Sequence, residues 1–256
     1  MCAQQFVDRS RDMEERSWWD LWNTSYRSSD NADSISADLF SHVRNLLEHV
    51  CPVPGRMLEI ACGTGTLSRQ LPFAAYHGLD ISPAAIDIAQ EKSALVRWPV
   101  AQQPPTYEPA DFHDWPLPAD PFDVVLCVDA LSCFRDQAAV MRKMSQALRP
   151  GGYVVLTSVN PFVYNRIRRA GGVKLENGPV SHWLKRSEFH ELVAQAGLVR
   201  ERSYTIMPRG NMGILRLINT RHLDTLAGPH GSAILKNWKE FAGLGQYRVI
   251  VARKRD

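Results

Sequence analysis

The chain has 256 residues, 45% hydrophobic and 22% charged, with 30 Lys+Arg against 27 Asp+Glu. That is globular composition, long enough to bury a sizeable core as one decorated domain or two small ones. A net charge of +3 gives no case for a polyanion partner. No stretch approaches the roughly 18 apolar residues of a membrane helix. The opening MCAQQFVDRSRDMEER lacks the apolar segment of a secretory signal. The cysteines at 2, 51, 62, 127 and 133 form no CxxC pair, so neither a disulfide framework nor a metal site is expected. The expectation is a reduced, cytoplasmic protein.

In chain order, Trp18, Trp19, Trp22 and Tyr26 gather in a polar N-terminal segment. Trp18, Trp22 and Tyr26 recur every four residues, which places three rings on one helical face with Asp20 and Asn23 pointing elsewhere. Leu39, Phe40, Val43, Leu46, Leu47 and Val50 predict a second amphipathic helix, capped by Ser34 or Ser36 and stopped by Pro52 and Pro54. The pattern then changes. RMLEIAC (56–62) is a short apolar run followed by a helix-like LSRQL, and AYHGLD (75–80) is a second run. Ser82 and Pro83 fit the N-cap and first position of a helix over AAIDIAQEK. A Pro-rich loop, 99–109, leads to Ala110-Asp111-Phe112. FDVVLCV (122–128) and YVVLTSV (153–159) read as buried strands on either side of an amphipathic helix, 136–148. Strands alternating with helices, several of them continuously apolar, predict a Rossmann-like parallel sheet covered on both faces. Beyond residue 160 come a basic, turn-rich segment, a helix over 186–197 closed by Gly197, a strand LVRERSYTIM, two helical stretches and a last strand GQYRVIVARK.

The loop Glu59-Ile60-Ala61-Cys62-Gly63-Thr64-Gly65 lies between strand and helix, where open α/β sheets bind ligands. Taken alone, these glycines are equally consistent with a tight turn. A dinucleotide site would continue to a third glycine or alanine, and Ser68 stands there instead. Asp80 ends the second predicted strand, where a carboxylate suits the two hydroxyls of a ribose. Asp111-Phe112 ends the third, offering a carboxylate and a ring to an adenine. Glu59, Asp80 and Asp111 thus stand at three successive strand ends.

EIACGTG (59–65), GLDIS (78–82), ADFHDWPLPADPFDVVLCVDAL (110–131) and ALRPGGYVVL (147–156) resemble the motifs of the class I S-adenosylmethionine (SAM)-dependent methyltransferases, in family order and spacing. The resemblance implies a seven-stranded, mostly parallel sheet with an antiparallel last strand. It implies SAM as cofactor and S-adenosylhomocysteine (SAH) as product. It assigns Ala61, Gly63 and Gly65 to the methionine end, Asp80 to the ribose, Ile81 to the adenine face, and Asp111 and Phe112 to the adenine edge. Cys127 would contact the methionine amino group through its carbonyl, with Glu59 ordering the loop. Tyr26 is similar to family lid tyrosines. The implied organisation is a lid segment over 1–35 and a catalytic domain over 36–256, with insertions at 160–185 and 210–242.

Methyl transfer needs in-line positioning, and a base only where the acceptor must lose a proton early. VDALSCF (128–134) resembles the substrate loop of ubiquinone-biosynthesis-type O-methyltransferases, but Cys133 stands where those enzymes place a histidine. Cys133 is read as packing. His182, ahead of the 186–197 helix, is the candidate base, with a loop hydrogen bond as its other reading. His113 is placed to border the pocket. Arg166, Arg168, Arg169 and Lys174 fit either a substrate anion or a solvated face. The chain lacks the N/D-P-P-Y/F run of base-amino methyltransferases after the fourth strand, and no nucleic-acid partner is expected. The expected activity is methylation of an O or N atom of a small metabolite, such as a natural product or saccharide. A nucleic-acid methyltransferase and a non-catalytic SAM-binding protein are the alternatives.

Overall fold

Continuous apolar runs become the interior strands of a single sheet, because both faces of that sheet are covered. The computed structural model describes residues 15–26, 34–51, 55–163, 182–206, 243 and 245–256. Among these, the strands are β1 (Arg56–Ile60), β2 (Ala75–Asp80), β3 (Thr106–Pro109), β4 (Phe122–Val128), β5 (Leu148–Val159), β6 (Leu198–Ile206) and β7 (Tyr247–Lys254). Their order is β3-β2-β1-β4-β5-β7-β6, with β7 antiparallel to both neighbours and the rest parallel. The Rossmann-like expectation holds, including the reversed last strand.

Side chains alternate across the sheet and build two core layers. Leu58, Ile60, Val125, Leu156 and Ile250 face one way, against Met141 and Met144 of α4 (Gln137–Ala147) and Phe189 and Val193 of α5 (Arg186–Gln195). Met57, Val124, Leu126, Val155 and Val249 face the other way, against Leu39, Val43 and Leu47 of α2 (Ser34–Val50) and Ile86 of α3 (Pro83–Ala94). Helix α1 (Glu15–Tyr26) lies ahead of these layers in the chain.

Local signals set the helix ends. The Ser82 hydroxyl accepts the Ala85 N–H at 3.1 Å, with Pro83 at the first position of α3. Asp136 accepts the Ala139 N–H at 2.8 Å and starts α4. Gly197, at φ +73°, follows α5 as expected. Three expectations need correction. Thr106–Pro109, inside the predicted Pro-rich loop, is strand β3, because its backbone pairs with β2 from His77 to Asp80. LSRQL is only a 3₁₀ turn, Ser68–Gln70, because side chains there bond the loop backbone: Ser68 Oγ donates to the Gly65 carbonyl and Arg69 to the Thr64 carbonyl. β5 starts at Leu148 rather than at Tyr153, since Leu148 already pairs with Phe122 across an irregular register. The predicted insertions lie outside the described residues apart from 160–163 and 182–185.

Candidate active site

Parallel strands bring their C-terminal ends to one edge, and there a cavity of about 500 Å³ opens between the ends of β1, β2 and β4 and helix α1. That volume suits a small ligand. A second hollow, about 670 Å³, lies among Arg56, Ala75, Thr106 and Phe122 at the starts of the strands. Ligands of open α/β sheets bind at the opposite edge, outside the strand C-termini.

The loop after β1 is shaped by left-handed backbone at Ala61 (φ +57°) and Gly63 (φ +53°). This turn aims the Gly63 N–H at Asp80 Oδ2, 2.8 Å away, while the Ser82 N–H meets Asp80 Oδ1 at 2.9 Å. Asp80 is 8% exposed, and burial raises its carboxyl above the ordinary range. The Ser82 and Gly63 N–H groups work against that rise, and Asp20 adds to it. Asp80 also lines the cavity, so its carboxylate is within reach of a ligand there. A Cβ built on Gly63 would meet nothing nearer than Asn23 Oδ1 at 4.0 Å, so there is room here for a ligand to approach. Gly65 differs. A Cβ there would lie 2.9 Å from the Tyr107 hydroxyl oxygen and 3.0 Å from Ala89 Cβ, so its glycine serves packing.

Beyond β3, Asp111 Oδ1 accepts the His113 N–H at 2.8 Å. Phe112 is 2% exposed and lines the cavity wall. Lys143 fixes this corner by donating to the His113 carbonyl at 2.7 Å, with its ammonium 5.2 Å from the Phe112 ring centre.

Helix α1 covers the opening. Trp19 and Asn23, one turn apart, line the cavity. Asp20 Oδ1 accepts the Ser82 hydroxyl at 2.5 Å and the Ala84 N–H at 3.2 Å, tying α1 to the start of α3. Asn23 therefore lines the cavity and Asp20 turns onto the start of α3, neither of them away from the site as the aromatic spacing predicted. Trp18 is buried, whereas the Trp22 and Tyr26 side chains lie outside the described residues.

Of the residues expected to hold a cofactor, Ala61, Gly63, Asp80, Ile81, Asp111 and Phe112 line the cavity together. Glu59, Gly65 and Cys127 are not among its lining residues. Glu59 is 3% exposed and accepts the Tyr76 hydroxyl; burial pushes its carboxyl up to about 8, so it is protonated at neutral pH. Cys127 is sealed inside the sheet opposite Leu156, and the next residue, Val128, is the one that reaches the cavity. His182 is exposed, with Nε2 3.2 Å from Glu188 Oε2 and its N–H donating to the Ser132 carbonyl at 3.3 Å; it does not line the cavity. His113 and Cys133 do. Residues 166–174 lie outside the described residues.

Asp129 also lines the cavity and was missed, although it is the first residue after β4. Its backbone is left-handed, φ +57°, and its N–H bonds Thr157 Oγ1 at 2.9 Å. Desolvation raises its carboxyl, and hydrogen bonds from the Tyr247 side chain and the Val159 backbone work against that rise.

A family profile described as a methyltransferase domain matches residues 31–201. The chain belongs to the class I SAM-dependent methyltransferases. SAM is the cofactor of this family. The residues present fit it: a buried carboxylate, Asp80, bordering the cavity, an uncrowded Gly63, and an aromatic wall at Phe112.

This methyltransferase is 34% identical over 110 residues to a probable phthiotriol/phenolphthiotriol dimycocerosates methyltransferase 2 of Mycobacterium ulcerans, covering 41% of this chain and 40% of that one. Its similarity therefore spans less than half of that relative's length. Over 222 residues it is 24% identical to a malonyl-acyl-carrier-protein O-methyltransferase of Halorhodospira halophila, covering 79% of this chain and 73% of the other. Among solved structures, magnesium protoporphyrin IX methyltransferase from Synechocystis, with bound SAH, matches at a TM-score of 0.63 and 16% identity over 96% of this chain and 99% of that chain. That likeness supports the fold.

Proposed function

We propose that this methyltransferase binds SAM in the cavity at the strand C-termini and methylates an O or N atom of a small-molecule acceptor. One observation carries the reading: Asp80, Gly63, Ala61 and Asp111-Phe112, each at a different strand end, converge on one cavity beneath helix α1. Bound SAM supplies an electrophilic methyl on a sulfonium, whose departure needs no acid. The chain's work is then positioning and exclusion of water. Asp80 holds the ribose hydroxyls while its grip on the Gly63 and Ser82 N–H groups keeps the loop in shape. Asp111 and Phe112 read the adenine, and Trp19 and Asn23 close the cavity. For a hydroxyl acceptor, Asp129 is the residue to take the proton, because it lines the cavity and His182 does not.

Relatives named for phthiotriol and malonyl acceptors favour this acceptor class over nucleic acid. Calorimetry with SAH and NAD, followed by transfer of labelled methyl from SAM to a metabolite extract, tests the reading. SAH should bind, NAD should not, and label should enter small molecules. Binding of NAD in place of SAH would overturn it, as would label entering only RNA or DNA.

A further inference from the structure

At the C-terminal end of the sheet, two polar side chains stand buried as cross-strand neighbours. Arg248 on β7 is 8% exposed, and its Nε and Nη1 have no hydrogen-bond partner. Ser158 on β5, its register partner, is 2% exposed, and its Oγ has none either. Paired residues of adjacent strands share a face. Arg248 and Ser158 therefore project together, on the side covered by α5, which also buries Leu156 and Ile250.

The surroundings are basic. Arg186, at the start of α5, acts on Arg248 as a like charge; burial is the larger influence, and both lower the guanidinium. His190, one turn along α5, hydrogen-bonds Ser203 at 2.8 Å, and burial, then Arg200, Arg186 and Arg248, lower its imidazole. Among the described residues no carboxylate pairs with Arg248. A buried guanidinium without an anion is costly, and proteins retain one where an anion arrives.

The position gives that anion a role. Thr157, just before Ser158, accepts the Asp129 N–H through both its carbonyl, at 3.1 Å, and its hydroxyl, at 2.9 Å. Tyr247, just before Arg248 and so facing the other side of the sheet, hydrogen-bonds the Asp129 carboxyl. Asp129 borders the cavity at the end of β4, and β7 lies two strands away, on the order of 10 Å at the usual spacing. A small molecule could span that distance.

We propose that Arg248 and Ser158 form a subsite for a carboxylate or phosphate on the methyl acceptor, so that the enzyme takes anionic substrates. A planar guanidinium and a hydroxyl donating side by side suit an oxyanion of either kind. The proposal rests on the SAM-site reading above, because it extends the acceptor away from that cavity.

The test uses the full chain. Thermal melts are recorded with inorganic phosphate or acetate at ionic strength matched by sodium chloride, and SAH binding is measured on the same samples. Wild type should show a saturable rise in melting temperature of roughly 2–4 °C or more with at least one anion, and the better anion identifies the oxyanion. Arg248→Met should melt at least as high as wild type without anion, keep SAH affinity, and lose the rise. Ser158→Ala should need a several-fold higher anion concentration. Transfer of labelled methyl to the anion-exchange-retained fraction of an extract should fall ten- to hundredfold in Arg248→Met.

No saturable rise in wild type overturns the subsite while SAH binding upholds the cofactor site. A rise retained in Arg248→Met also overturns it. If Arg248→Met fails to bind SAH because it does not fold, an unchanged anion requirement in Ser158→Ala overturns it instead. Wild type that binds anion but not SAH overturns the cofactor reading, and the acceptor assignment with it.

Discussion

Asp80 serves loop and ligand through one carboxylate. Both of its oxygens already accept backbone N–H groups, from Gly63 and Ser82, so the side chain holds the turn before any ribose arrives. Asp80→Ala should weaken SAH by the ribose hydrogen bonds, each about 1.5–3 kcal/mol to a charged acceptor, and further by loosening the turn. Asp80→Asn should be no rescue, since its amide NH₂ must face one of those N–H donors. Calorimetry on folded variants checks both; wild-type affinity in either would count against the assignment. Glu59 contributes differently. Its carboxyl stands at about 8 when folded, against an ordinary 4.5, with burial as the main cause. The folded state therefore binds more protons than the unfolded state between these values, and stability falls as pH rises through that window. Glu59→Gln removes the titration and keeps the shape. Its melting temperature should vary less between pH 5 and pH 8.5 than that of wild type; equal pH dependence would refute a protonated Glu59.

Helix α1 shows where an element's pattern informs and where it stops. The clustered aromatics point to a helix, and the structure has one at Glu15–Tyr26. Periodicity alone does not say which face meets the site. That depends on polar partners some sixty residues away: Ser82 and Ala84 at the start of α3 draw Asp20 inward, and Asn23 follows onto the cavity one turn along. The contact also suits a negative charge at a helix N-terminus. Asp20→Ala should release α1 at a cost of about 1 kcal/mol, leaving a Ser82 cap that still accepts from Ala85. Limited proteolysis should then cut the N-terminal segment faster in the variant, and SAH should slow cleavage in wild type. Equal rates in both proteins would mean that Asp20 does not hold the helix. The ends of α3 and α4 were legible because their caps are local. The 3₁₀ turn at Ser68–Gln70 was not, since side-chain bonds to the loop interrupt an otherwise helical pattern.

Over the whole molecule, the sheet was readable because strands buried on both faces are largely apolar, as MLEI (Glu59 apart), VVLC and the antiparallel VIVA are. The site was readable where its residues sit at strand ends, at Asp80 and Asp111. Asp129 obeys the same rule one residue beyond β4, whereas the family motif points to Cys127, which the sheet seals in. Helix α1 stands apart from both core layers. Of its described side chains only Trp18 is buried, whereas α2 contributes Leu39, Val43, Leu46 and Leu47. Deleting residues 1–30 therefore spares both core layers and, among the described side chains, removes the buried ring of Trp18, a loss on the order of 1.5–3 kcal/mol. The truncated protein should unfold cooperatively with a denaturant slope close to that of the full chain. Yet it lacks Trp19 and Asn23 at the cavity and Asp20 on Ser82, so SAH affinity should fall at least tenfold and turnover further still, with water entering the cleft. Denaturant melts and calorimetry on the same sample separate the two effects. Full SAH affinity and turnover in the truncated protein would show that α1 only packs, whereas loss of the cooperative transition would show that it belongs to the core.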